Sequence, residues 1–74
     1  MRKMYIEGVV FNKSVKDYKG KKYYGVSIDT GYNMPTIVNV DENTFEQAKK
    51  GEEISLMCDF FIDYDKKRLS LYIK

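Results

Sequence analysis

The sequence predicts an all-β domain with one short helix: five strands closed into a small barrel, in the order β-β-β-α-β-β. Three observations carry this. Five segments alternate apolar and polar residues with the period of two that belongs to strands. Residues 43–50 break that period and carry helix-end signals instead. The chain has 74 residues, enough for one domain over 1–74 with a marginal core, and closing a sheet this small on itself removes its exposed edges.

The first strand is expected over residues 4–12. Met4, Ile6, Gly8 and Val10 share one face; Tyr5, Glu7, Val9 and Phe11 share the other. Gly8 inside it predicts a bend or bulge, as a barrel needs where a strand turns a corner. Residues 13–22 read as a polar loop or hairpin tip turning at Gly20. The second strand, 22–29, puts Tyr24, Val26 and Ile28 on one side and Tyr23, Gly25, Ser27 and Asp29 on the other. A turn at Thr30-Gly31-Tyr32-Asn33 leads to a third strand over 35–40. Pro35 begins it, where a missing N–H is tolerated. Its inward face is open, because Ile37 and Val38 point opposite ways.

Over 43–50, Asn43 is a candidate cap, with Glu46 completing a capping-box-like pair. Lys49 and Lys50 suit the negative end of the helix dipole, and Gly51 suits the position beyond it. Phe45 and Ala48, three apart, give a face to dock. The fourth strand, 53–62, aligns Ile54, Leu56, Cys58, Phe60 and Ile62, leaving Phe61 out of phase. Residues 63–66 form a turn. The last strand, 67–74, puts Leu69, Leu71 and Ile73 inward and Arg68, Ser70, Tyr72 and Lys74 outward. This order is that of an OB-fold, a five-stranded Greek-key barrel with a helix between strands three and four. An SH3-like barrel and an open α+β sheet are the competing architectures.

Composition narrows function by subtraction. There is no histidine, hence neither the commonest general base nor the commonest metal ligand. Cys58 is the single cysteine, so no intrachain disulfide or cysteine-rich zinc site forms. It is expected inward and inert. No phosphate-binding glycine loop or nucleophile elbow is present. Asp59, Asp63 and Asp65 read as a polar strand face ending in a turn rather than as a metal loop. The expectation is a non-enzyme with no metal, cofactor or small-molecule substrate. A glutamate at position 7 interrupts any apolar leader, and no run approaches the ~20 residues of a membrane span. A lone thiol suits a reducing cytoplasm.

The net charge of +2 conceals a segregation. Residues 1–40 hold seven basic and three acidic side chains, 41–65 hold two and eight, and 66–74 hold four and none. In an OB-fold, the loops between strands one and two and between strands four and five flank the face that binds oligonucleotides. Lys13, Lys16, Lys19, Lys21 and Lys22 fall on the first; Lys66, Lys67 and Arg68 fall on the second. Such cations neutralise phosphates without reading sequence, although a solvated lysine-rich loop also serves solubility alone. Tyr18, Tyr23, Tyr32, Tyr64 and Tyr72 fall on outward faces or turns, where a ring can stack on any base or meet a protein partner.

These residues also resemble a known family. Gly20-Lys21-Lys22-Tyr23, then Ile28-Asp29-Thr30-Gly31 and Pro35, look like the gene V single-stranded-DNA-binding proteins of filamentous phages. Their pattern has Gly-Lys-x-Tyr entering strand two, then Val-Asp-Leu-Gly and a Pro before strand three. The likeness covers residues 13–40 and, loosely, Arg68-Leu69. It implies a small OB-fold homodimer that coats single-stranded DNA during phage or mobile-element replication. It also implies a base-stacking role for Tyr23, a phosphate-contacting role for Arg68 and a basic binding position at Lys13. The chain departs from the pattern where the family has an arginine before the Gly (Tyr18 or Lys19 here) and a later DNA-contacting tyrosine (Met34 here, with Tyr32 nearby).

The expected function is therefore sequence-tolerant binding of single-stranded nucleic acid, DNA favoured. The expected contacts are Lys13, Lys16, Lys19, Lys21, Lys22 and Arg68 to phosphates, and Tyr18, Tyr23, Tyr32 and Tyr64 to bases. The alternatives are a protein-interaction barrel acting as a subunit or regulator, and a single-stranded RNA binder.

Overall fold

A computed structural model describes residues 3–31 and 34–73. Its elements are β1 (Lys3–Tyr18), β2 (Lys21–Asp29), β3 (Thr36–Val40), α1 (Glu42–Gln47), β4 (Glu53–Asp63) and β5 (Arg68–Tyr72). The expected mostly-β chain with one short helix is borne out. The five strands close in a ring in the order β1-β2-β3-β5-β4, with β4 returning to β1. Neighbours are antiparallel except β3 and β5, which meet in parallel at Val38↔Leu71 and Asn39↔Tyr72. Ile73 N–H completes that seam by donating to the Asn39 carbonyl at 2.7 Å.

The long β1 makes closure possible, because its first half pairs with β4 and its second half with β2. Val9 sits at the crossing, opposite both Glu53 and Asp29. Gly8 is required beside it. A Cβ there would lie 2.2 Å from the Asp29 carbonyl oxygen, closer than any side chain can approach. The bulge itself falls later, at Phe11, where the register with β2 skips between Val10 and Asn12. Even-numbered residues through Val10 face inward. After the skip, Lys13 opposes the buried Val26 and takes the inward side.

Of the expected loop or hairpin tip turning at Gly20, the structure shows the hairpin, with residues 13–18 continuing β1 as strand. Pairing that starts in the core runs outward to a two-residue turn at Lys19-Gly20, both with positive φ (49° and 80°). That is the combination that lets a tight hairpin follow strand twist. The polar composition of 13–22 reflects an overhang in solvent.

The core comprises Val10, Val26, Ile28, Val38, Val40, Ala48, Cys58 and Leu71, with Met4, Ile6, Tyr24, Phe45, Ile54, Leu56, Phe60 and Ile73 packed around it. Val38 and Val40 resolve the open choice in β3, leaving Ile37 outside. Ile62 and Leu69, expected inward, are 43% and 48% exposed. They pair with each other where the β4–β5 hairpin overhangs the ring, beyond the layer that could bury them.

The helix starts earlier and ends sooner than its sequence signals suggest. Asp41, not Asn43, caps it by accepting from Thr44 N–H at 3.4 Å. The Thr44 side-chain hydrogen bond is the largest influence holding the Asp41 carboxyl below its ordinary value. Ala48 already has extended backbone, because its buried methyl anchors the chain as it turns back. Lys49 and Lys50 thus follow the helix. Gly51, at φ 90°, serves a separate turn in which Glu52 N–H donates to the Lys49 carbonyl at 3.0 Å. As expected, Phe45 and Ala48 dock the helix: the Phe45 ring lies 4.9 Å from that of Tyr24, and Ala48 is buried.

Candidate nucleic-acid interface

Directly paired residues in an antiparallel ladder point to the same side, so the register assigns every candidate to a face. Lys16 opposes Tyr23, and Tyr18 opposes Lys21. Both pairs are on the outer face of the β1–β2 hairpin. Each tyrosine thus has a lysine across from it. The two rungs are two residues apart, about 7 Å along the strand, comparable with successive phosphates of an extended single strand. Tyr23 is 52% exposed, leaving ring surface free. Tyr18 is similarly open, with the Lys19 ammonium 5.4 Å from its ring centre.

This face continues across β3 to β5. Gly25 opposes Asn39 and Ser27 opposes Ile37 on β3; Arg68 and Ser70 project from β5. One groove is lined by Lys16, Ile37, Asn39, Arg68, Ser70 and neighbours. A second, sharing Lys16, Ile37 and Asn39 with the first, reaches back to Tyr23 and Gly25. Lys16 and Arg68, distant in sequence, thus border one continuous surface. Neither is in an ion pair among the described residues, so both charges are free for an anion. Asp63, opposite Arg68, instead accepts the Asp65 and Lys66 N–H groups at 3.1 and 3.2 Å, closing the expected hairpin turn.

Other candidates lie elsewhere. Lys13 is on the inward side, its ammonium 4.3 Å from the Phe45 ring centre, in a cation–π contact that helps hold the helix. Lys22 opposes Asp17 on that same side, away from Tyr23. Lys19 sits in the hairpin turn, and Tyr64 is exposed at the tip of the β4–β5 hairpin. Tyr32 lies outside the described residues.

The sequence reading missed the middle of the groove: Ser14, Gly25, Ile37, Asn39 and Ser70. Ile37 carried a usable signal. Adjacent Ile37 and Val38 cannot both face inward in a strand, and Ile37 is 63% exposed.

Away from the groove, one ion pair forms among the described residues. Asp59, only 6% exposed though on an outward position, has the Lys3 ammonium 2.7 Å from its Oδ1. Burial pushes the neighbouring Cys58 thiol up, Asp59 adds to that and Lys3 opposes it; a buried thiol held protonated is a poor nucleophile. Among the described residues, no three His, Cys, Asp or Glu side chains are placed to share a metal ion, and no helix is long and apolar enough to cross a membrane. In comparisons with known proteins, no family model, no curated protein and no solved structure matches this chain.

Proposed function

We propose that this chain binds single-stranded nucleic acid, DNA in preference to RNA, without sequence selection. The observation that carries the reading is the uninterrupted outer face on which Lys16, Tyr23, Ile37 and Arg68 come together from four strands. Lys16, Lys21 and Arg68 hold phosphates, and Tyr23 and Tyr18 receive bases. Lys19 and Tyr64 extend the surface at the two hairpin tips. The ring order β1-β2-β3-β5-β4, the parallel β3–β5 seam and the helix between β3 and β4 support an OB-fold barrel, whose β2–β3 face is its oligonucleotide-binding surface. The resemblance to gene V-type proteins supports the same reading and a role in coating or protecting single-stranded DNA during replication in the cytoplasm.

The test is a titration of labelled oligo-dT, matched RNA and duplex at two salt concentrations. Affinity for single strands should fall with salt and exceed that for duplex. Tyr23→Ala should weaken dT binding by about 5- to 150-fold, the range for losing one stacked base. Binding indifferent to both salt and Tyr23 would refute the assignment.

A second reading rests on the β4–β5 hairpin: Phe61 is exposed on one face, and the paired Ile62 and Leu69 form an exposed apolar patch on the other, with Tyr64 at the tip. Such a patch suits a protein contact, and the resemblance favours a second copy of this chain. Light scattering at micromolar concentration should show a dimer; a monomer would remove this reading.

A further inference from the structure

We propose that Gly25 floors a slot for a single nucleobase on the outer face of β2, with Tyr23 and Ile37 as its two walls. This rests on the single-strand-binding reading above and assigns a base subsite within it.

Gly25 is a glycine that the fold does not call for. Gly25 is in the interior of β2, where glycine costs about 0.5–1 kcal/mol relative to alanine. Unlike Gly20, Gly31 and Gly51, it has no positive φ. Unlike Gly8, it has no backbone against it. A Cβ at Gly25 would meet only the Ser14 hydroxyl oxygen at 2.9 Å and, at ordinary contact distance, a methyl of Ile37 at 3.9 Å. A serine hydroxyl at the surface can rotate aside. Once the Ser14 hydroxyl turns, local backbone and packing accept a methyl group at this buried position, yet none is present.

The missing side chain leaves a depression at a particular place. Outward positions along β2 run Tyr23, Gly25, Ser27, and Ile37 opposes Ser27. Gly25 thus lies between an exposed aromatic ring and an exposed branched aliphatic chain, with Ser14, Lys16 and Asn39 at the rim. The floor is flat backbone, the two walls are apolar, and the rim carries a hydroxyl, an ammonium and an amide. A flat heteroaromatic ring fits that chemistry: its faces meet Tyr23 and Ile37, and its edge meets rotatable polar groups that impose no single donor pattern. Lys16 at the same rim reaches the phosphate of that nucleotide.

The experiment compares wild type, Gly25→Ala, and Gly25→Val in a Ser14→Ala background with its Ser14→Ala parent. The last pair removes the one close contact and keeps the bulkier variant foldable. Each is melted thermally, then titrated with a dT 12-mer and a length-matched abasic strand. Gly25→Ala should melt at or above the wild-type temperature while binding dT more weakly. The valine variant should lose about 5- to 150-fold in dT affinity against its parent. Abasic binding and the salt slope should not change in either. Unchanged dT affinity, or equal losses on dT and abasic strands, overturns the slot while leaving the phosphate-binding face intact. So does a wild type that binds dT and abasic strands equally. A wild type that binds neither strand overturns the binding reading and the slot together.

Discussion

Lys13 and Lys16 carry the same charge and belong to the same strand, and their spacing of three residues puts them on opposite faces, with Lys16 outward. Comparing Lys13→Ala with Lys16→Ala therefore separates local phosphate contact from net charge, which both variants change equally. Each phosphate neutralised on a single strand contributes about 0.7 to the slope of log K against log salt. Removing Lys16 should lower that slope by about 0.7, and removing Arg68 as well by about 1.4. Over a change from about 50 to 200 mM salt, each lost contact spares a 2- to 3-fold loss of affinity. Lys13→Ala should leave the slope nearly unchanged. Its effect should appear in thermal unfolding, as about 0.5–1 kcal/mol, because its ammonium is over the Phe45 ring 4.3 Å away. Fluorescence anisotropy with a dT 12-mer across a salt series reads the slope, and calorimetry reads the stability. Equal slopes for the two single variants would refute the facial assignment, and a slope lowered by Lys13→Ala but not by Lys16→Ala would refute the bulge at Phe11, which sets which of the two faces out.

Three further outcomes follow from the packing. Ile28→Ala, at a fully buried position, should cost about 2–5 kcal/mol, enough to leave a domain of this size largely unfolded by circular dichroism. Gly8→Ala should cost about 1–3 kcal/mol, because its Cβ would have to displace the Asp29 carbonyl, whereas Gly20→Ala, with open space around it but φ of 80°, should cost only about 1–2 kcal/mol of backbone strain; chemical denaturation of the pair checks the order. The Asp41 cap should be acid-sensitive. Its folded carboxyl titrates below its ordinary value, so its stabilisation is complete above the ordinary carboxylate pKa and disappears as pH falls through the lower folded value. Asp41→Asn should flatten that part of the melting-temperature profile, and an unchanged profile would reject the cap.

Much of the fold was legible because burial leaves a period in the sequence. The alternation of Val26 and Ile28 in β2, and of Cys58 and Leu71 in β4 and β5, identified inward positions that are indeed buried. Alternation failed where the strand outran the core. Ile62 and Leu69 continue an inward phase with nothing left to bury them, and residues 13–18 are strand although their composition is that of a loop. The helix misled differently. Its capping signals at Asn43 and Glu46 are local, and Asp41 displaced them once Ala48 was required in the core and the helix shortened to fit.

The sequence by itself determined the strand periods, the single helix, the uneven charge and the presence of outward tyrosines, because each depends on residue type and local spacing. It also placed Tyr23 outward beside a run of lysines. It could not determine which lysines share that face. One bulge residue at Phe11 reverses the inward and outward parity of everything after it, turning Lys16 out and Lys13 in. Whether a bulge forms is decided by the need of β1 to serve β4 and β2 together while the ring closes, and that demand exists only in the assembled sheet. The same closure brings Arg68 and Ile37 to the groove, from strands that meet only through the parallel seam of β3 and β5.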